Sequence, residues 1–145
     1  MTDTRRAITI ERIEKGRYAV RNGRGGTIEV GGGDDHNFTA VELLLAAIGC
    51  CTGADVDYLI TRRCPPTAFS IGVSGDKVRH PELGNRMENL KVEFAIEFPE
   101  GTHGDAARGV LPEAMARSHD RLCTVSRTSE LGSPIRSVVA QPRAS

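Results

Sequence analysis

The sequence predicts an α+β fold in which helices pack on antiparallel sheet. Three observations carry that expectation. Short β-rich segments separated by glycines fill the first third of the chain. A long apolar helix follows, and then come two alternating strands, a second helix and a last short strand. Strands and helices therefore arrive in runs, not in the strict alternation that builds a parallel sheet. The 145 residues suit one domain, 1–145, divided into an N-terminal β-hairpin region (1–37), a central helix (39–63) and an α+β remainder (66–140).

The N-terminal strands are Ala7–Ile10, Arg17–Val20 and Thr27–Val30, short and β-rich, with Asn22-Gly23 the best turn signal among the surrounding glycines. Gly31 to Asn37 is a polar, glycine-rich loop. Its glycines lie within and after a hairpin instead of on a strand-to-helix turn, which argues against a phosphate-binding loop.

The central helix has a well-marked start. Thr39 three residues before Glu42 is a capping box, and Phe38 with Leu43 suits a hydrophobic staple. Pro65-Pro66 ends it. Leu43, Leu44, Leu45, Ala46, Ala47, Ile48 and Cys50 leave no polar face in the first turns, so the helix is expected to thread the core. A helix of roughly 25 residues is about 37 Å long, hardly less than the diameter of the whole domain. One chain can scarcely wrap it on every side, and dimerisation around the helix would complete its burial.

The remaining expected elements are strands over Thr67–Val78 and Leu90–Phe98, a loop over His80–Asn89, a helix over Asp105–Leu122 interrupted by Pro112, and a strand over Ile135–Ala140.

Composition excludes several functions. Hydrophobic residues are 39% and charged residues 26% of the chain, and 19 Lys plus Arg balance 19 Asp plus Glu. A nucleic-acid partner is not expected, since the basic excess is absent and stacking aromatics are few: two Tyr, four Phe and no Trp. The first residues lack a signal-peptide pattern, and the longest nearly uninterrupted apolar run, Val41–Cys51, is half the length of a spanning helix. The expectation is a cytoplasmic protein without a membrane partner, whose cysteines are thiols.

Those cysteines are Cys50, Cys51, Cys64 and Cys123. They contain no Cys-x-x-Cys, and His36, His80, His103 and His119 do not pair with them in a ligand pattern, so neither a metal nor another cofactor is expected. His119 and Cys123 are spaced one helical turn apart, which alone makes no site. Cys64, beside Pro65 at a helix end, reads as a buried spectator. It is also too far along and around the helix to meet Cys51. Cys50 and Cys51 point about 100° apart, and a bond between them would be strained.

Cys51 and Cys123 stand in informative contexts. The segment Phe38-Thr39-Ala40-Val41-Glu42-Leu43-Leu44-Leu45-Ala46-Ala47-Ile48-Gly49-Cys50-Cys51-Thr52-Gly53-Ala54-Asp55-Val56 resembles the central helix of the OsmC/Ohr-like family, the osmotically inducible and organic hydroperoxide resistance proteins. The Cys-Thr pair places it with one branch of that family. Leu122-Cys123-Thr124-Val125-Ser126-Arg127-Thr128 is similar to the family's second cysteine segment, and the likeness extends over about residues 7 to 140. Two positions depart from the pattern: Thr39 or Ala40 stands where members usually carry Pro, and Cys50 where Gly or Ala is usual.

The resemblance implies an intertwined homodimer, its antiparallel sheets packed around two long central helices, and a cysteine-based peroxidase acting on organic hydroperoxides. It makes Cys51 the peroxidatic and Cys123 the resolving cysteine. Glu42 matches the family's Glu, and an Arg of the N-terminal hairpin completes the site, with Arg24 or Arg21 favoured and Arg17 competing. The partners it implies are a second copy of the chain, a small-molecule hydroperoxide and a dithiol reductant.

The chemistry has its own logic. A thiol of ordinary pKa is only a few per cent thiolate at neutral pH, so a guanidinium beside it favours the reactive anion. The apolar residues Leu44, Leu45, Ala47 and Ile48 suit an alkyl hydroperoxide. Against these roles stand plainer ones. Glu42 is fully explained by the capping box, and on a straight helix it lies about 180° and 13 Å from Cys51, so a catalytic role needs a break in the helix. Arg121 and Arg127 read as surface charges, and Asp55 as a capping or ion-pairing residue. Two rival functions remain: a binding module that holds an apolar small molecule in the dimer groove, and a thiol-dependent hydrolase built on Cys51.

Overall fold

A computed structural model of the chain describes residues 3–141 and divides it into two compact units, 1–47 and 48–145. The first unit holds a sheet in the order β1 (Ile8–Glu14), β2 (Arg17–Asn22), β3 (Thr27–Gly31) and β4 (Phe38–Thr39). β1–β2 and β2–β3 pair antiparallel; β4 adds a two-residue parallel bridge, Val30 to Phe38 and Gly31 to Thr39. The Asn22-Gly23 turn is built as expected. The Asn22 Oδ1 accepts the N–H groups of Arg24 and Gly26, both at 2.9 Å, closing the loop between β2 and β3. Ile8 and Ile10 of β1 are more than half exposed.

Helix α1 runs unbroken from Ala40 to Thr61. Its capping box forms in full: the Thr39 N–H donates to Glu42 Oε1 at 3.0 Å, and the Glu42 N–H to Thr39 Oγ1 at 3.1 Å. The hydrogen bonds hold the Glu42 carboxyl below its ordinary range. As an element, α1 is long and apolar enough to cross a membrane. The run of Val41–Cys51 had suggested otherwise, because it stops counting at the first polar residues although the helix continues past them.

In the second unit one stripe of α1 (Ile48, Gly49, Thr52, Gly53, Val56, Ile60) is buried. Leu44 and Cys50 stay exposed, so an apolar circumference is not matched by burial on all sides within the chain. The stripe meets a long antiparallel hairpin, β5 (Ala68–His80) and β6 (Gly84–Glu97). Gly49 and Gly53 let the helix approach closely, for an added Cβ would stand 2.6 Å from Val73 Cγ2 and 2.5 Å from Ile71 Cδ1. The hairpin corrects the expected loop over 80–89. Its turn spans only His80 to Gly84, and Gly84–Asn89 opens β6 ahead of a register shift opposite Gly75.

The core of this unit gathers Val56, Ile60, Cys64, Phe98, Ala107 and Ala114, with Phe69 and Phe94 edge to face at 6.4 Å. Cys64 is thus buried, as its place beside Pro65 suggested.

Helix α2 (Thr102–Arg117) starts earlier than expected and runs through Pro112. It then widens into a π-turn, Ser118–Leu122, closed by the Cys123 N–H donating to the Ser118 carbonyl at 2.9 Å. Cys123 leaves in extended conformation and caps a short helix, α3 (Thr124–Leu131), which ends at Gly132 with φ +74°. The expected strand over 135–140 does not form. Ile135 and Val139 are 94% and 95% exposed, and a strand without a partner has nothing to satisfy its backbone groups.

Candidate active site

The π-turn is what brings the second cysteine to the first. Cys51 sits mid-helix on α1, half-buried, and Cys123 stands fully buried at the N-terminus of α3. Both are free thiols, and their sulfurs lie close enough to influence each other's protonation. His119 and Cys123 are not on one helical face, since the π-turn intervenes.

Three groups converge on the Cys123 sulfur. The Ser126 N–H donates to it at 3.3 Å, as an N-cap acceptor requires, and the Thr52 hydroxyl donates at 3.5 Å from across the fold. The Ser126 hydroxyl, 3.4 Å from Thr52 Oγ1, faces the same atom. Burial alone pushes this thiol up, but the hydrogen bonds from the Ser126 hydroxyl, the Thr52 hydroxyl and the Ser126 N–H outweigh it and hold Cys123 below the ordinary thiol range.

Cys51 is pushed the other way. Burial raises it; the Val125 N–H opposes that, while Cys123 and the Asp55 carboxylate raise it further. Among the described residues Asp55 forms no ion pair with an arginine. It accepts a 2.9 Å hydrogen bond from the buried Ser118 hydroxyl. A cation is the group that would lower Cys51, and Arg127 is engaged elsewhere, with Glu130 at 3.1 Å and the His119 carbonyl at 3.3 Å.

A cavity of about 290 Å³ opens beside Thr52 and Ser126. Ile48, Leu90, Val92, Phe94 and Met115 make it apolar, and His119 and Glu130 stand at its polar rim, joined Nε2 to Oε1 at 2.7 Å. Of the expected apolar wall residues Leu44, Leu45, Ala47 and Ile48, Ile48 lines it and the other three do not. The other walls come from β6 and α2, which no local pattern around Cys51 could supply.

The other expected site residues belong to the first unit. Glu42 is engaged in the capping box. Arg21 pairs with Glu11 at 3.1 Å, and Arg24 is exposed on the β2–β3 turn. Arg17 is the most enclosed of the three. It donates to Glu14 at 3.0 Å, while its buried Nε makes no hydrogen bond even though Glu29 Oε2 is 3.4 Å away. Sequence reasoning passed over Thr52, Ser126 and the Val125 N–H. Ser126 carried no local signal: cysteine is not one of the usual N-cap residues, and the capping bond uses the backbone N–H of Ser126.

No protein-family model and no curated protein matches the chain. Solved structures do. An OsmC-like protein of unknown function from Vibrio cholerae aligns at TM-score 0.73 and 9% identity, over 87% of this chain and 94% of that one. An OsmC-like protein from Mycoplasma pneumoniae aligns at TM-score 0.70 and 15% identity, covering 89% of each. The organic hydroperoxide resistance protein OhrB of Bacillus subtilis aligns at TM-score 0.57 and 11% identity, over 88% and 92%.

Proposed function

With the OsmC-like fold as premise, we propose that this protein is a cysteine-dependent peroxidase that reduces organic hydroperoxides. The observation that carries the reading is the meeting of two free thiols, Cys51 from α1 and Cys123 from the cap of α3, next to an apolar cavity. The Cys51 thiolate attacks the O–O bond, releases an alcohol and becomes a sulfenic acid. Cys123 attacks that sulfur, water leaves, and the disulfide protects Cys51 from further oxidation. An external dithiol restores both thiols.

Cys51 needs a cation to become a thiolate, because its surroundings in the second unit raise its pKa. We assign that task to an arginine of the N-terminal hairpin. Arg24 and Arg21 are the candidates, and Arg17, already paired with Glu14 and Glu29, competes with them. Glu42 completes the proposed set, beside its capping role. The same reading takes the protein to be a cytoplasmic homodimer built around two copies of α1, and the exposed Ile8, Ile10 and Leu44 support it.

A second reading has its own support: the apolar cavity, whose lining includes Thr52 and Ser126 but neither cysteine, and the raised Cys51 thiol fit a non-enzymatic binding module for an apolar small molecule. Peroxide consumption by the reduced protein with a dithiol reductant decides between them, comparing cumene hydroperoxide with hydrogen peroxide. Turnover that vanishes in Cys51→Ser, with over-oxidation of Cys51 in Cys123→Ser, establishes the two-cysteine peroxidase. No turnover, with both thiols slow toward alkylating reagents at pH 7, leaves the binding module.

A further inference from the structure

The two sulfurs differ in ways that bear on how the disulfide is undone. Cys51 is half-open to solvent, whereas Cys123 has none of its surface exposed. An external thiolate can reach only the first. The sulfur that is out of reach is the one held by hydrogen-bond donors: the Ser126 N–H at 3.3 Å, the Thr52 hydroxyl at 3.5 Å and the Ser126 hydroxyl beside them. Donors fixed around a buried sulfur stabilise it most when it carries negative charge. They have little to offer a neutral disulfide sulfur and much to offer a departing thiolate.

We infer that Thr52 and Ser126 make Cys123 the leaving group of the reductive half-reaction, directing the incoming dithiol to Cys51. The inference rests on the two-cysteine reading above and adds a direction to it. In the first step one thiolate of the dithiol attacks Cys51 Sγ, and a mixed disulfide forms there. The Cys51–Cys123 bond breaks, and its electron pair goes to Cys123, which departs as a thiolate among its donors. In the second step the other thiol of the reductant attacks the reductant's own sulfur in the mixed disulfide. Cys51 is released, and the reductant closes to a disulfide. The dithiol loses two electrons and two protons, and the two cysteines gain both. Leaving-group basicity and access together choose the sulfur attacked in such exchanges, and here both choose the same one.

The test bypasses peroxide chemistry. The reduced protein is oxidised with diamide to the Cys51–Cys123 disulfide, and its reduction by dithiothreitol at pH 7 is followed by quenching and mass spectrometry. Thr52→Val and Ser126→Ala together are expected to slow reduction by about tenfold, the effect of removing hydrogen bonds to a charged acceptor. Thr52→Ser, which keeps the hydroxyl, should react near the wild-type rate. On the wild-type protein, a glutathione adduct trapped during reduction should map to Cys51. An adduct on Cys123, or hydroxyl-free variants reduced at the wild-type rate, overturns the inference while leaving the peroxidase reading in place. If diamide forms no Cys51–Cys123 disulfide, the inference and the pairing it rests on fall together. Absence of peroxide turnover with an intact, hydroxyl-dependent reduction removes only the peroxidase.

Discussion

The Ser118 hydroxyl donates to the Asp55 carboxylate at 2.9 Å, tying the π-turn to the middle of α1 across 63 positions of sequence. The serine is fully buried, so its hydroxyl has no water to fall back on. Ser118→Ala removes one partner and leaves a carboxylate oxygen short of a donor. The expected cost is about 1–3 kcal/mol, because the deletion leaves a charged acceptor unsatisfied. Urea unfolding of the two proteins measures it, and an unchanged midpoint means Asp55 finds another donor.

Asp55 also acts on Cys51. Its negative charge disfavours the thiolate, one of several influences that raise this thiol. Asp55→Asn keeps an oxygen to accept from Ser118 but removes the charge. The Cys51 pKa should fall, the thiolate fraction at pH 7 should rise, and alkylation by iodoacetamide should quicken. Rates over pH 6 to 10 in a variant lacking the other cysteines would show the shift, and an identical profile refutes the coupling.

These two contacts show where sequence reading reached its limit. Capping box, hairpin turn and alternating strands are local, so Thr39, Glu42, Asn22 and the Phe69–Val73 face were legible from residues a few positions apart. The pairing of Cys51 with Cys123 came from resemblance alone. Its physical means is a π-turn, a hydrogen bond one residue longer than an α-helix makes, with no composition of its own. Asp55 looked like a partner for arginine because its partner serine lies in that unforeseen turn. Strand β6 was shortened for a related reason. Gly84 and Asn85 are turn formers by composition, yet pairing with His80 and Arg79 of β5 holds them in strand.

The close approach of α1 to β5 makes a graded prediction at two glycines. Alanine at either gains about 1 kcal/mol of helix propensity. At Gly53 the obstructing atom is Ile71 Cδ1, the end of a flexible side chain that can turn aside. At Gly49 it is Val73 Cγ2, on a β-branched residue whose rotamer is fixed in the strand. Overpacking costs typically 1–3 kcal/mol where nothing can yield. Gly53→Ala should therefore be neutral or slightly stabilising and Gly49→Ala destabilising by up to about 2 kcal/mol. Thermal unfolding of both variants checks the order; equal midpoints would mean that helix and sheet separate to admit either methyl.

His119 gives the fold a dependence on pH. Hydrogen bonds to Asp120 and Glu130, at 2.9 and 2.7 Å, raise its pKa above the ordinary 6.5, and the charge of Glu130 adds to them. A group that binds its proton more tightly when folded stabilises the fold in its protonated form. That contribution is complete below pH 6.5, the unfolded value, and is lost as pH rises through the higher folded value. Its size is small, because the His119 side chain is 57% exposed and solvent screens both carboxylates. The melting temperature should fall between pH 6 and 8 by more in the wild type than in His119→Gln, and 0.5 M salt should shrink the difference. Parallel pH profiles for the two proteins would assign the ring no such role. A steeper one for His119→Gln would reverse the sign and make the neutral imidazole the form that joins α3 to the π-turn.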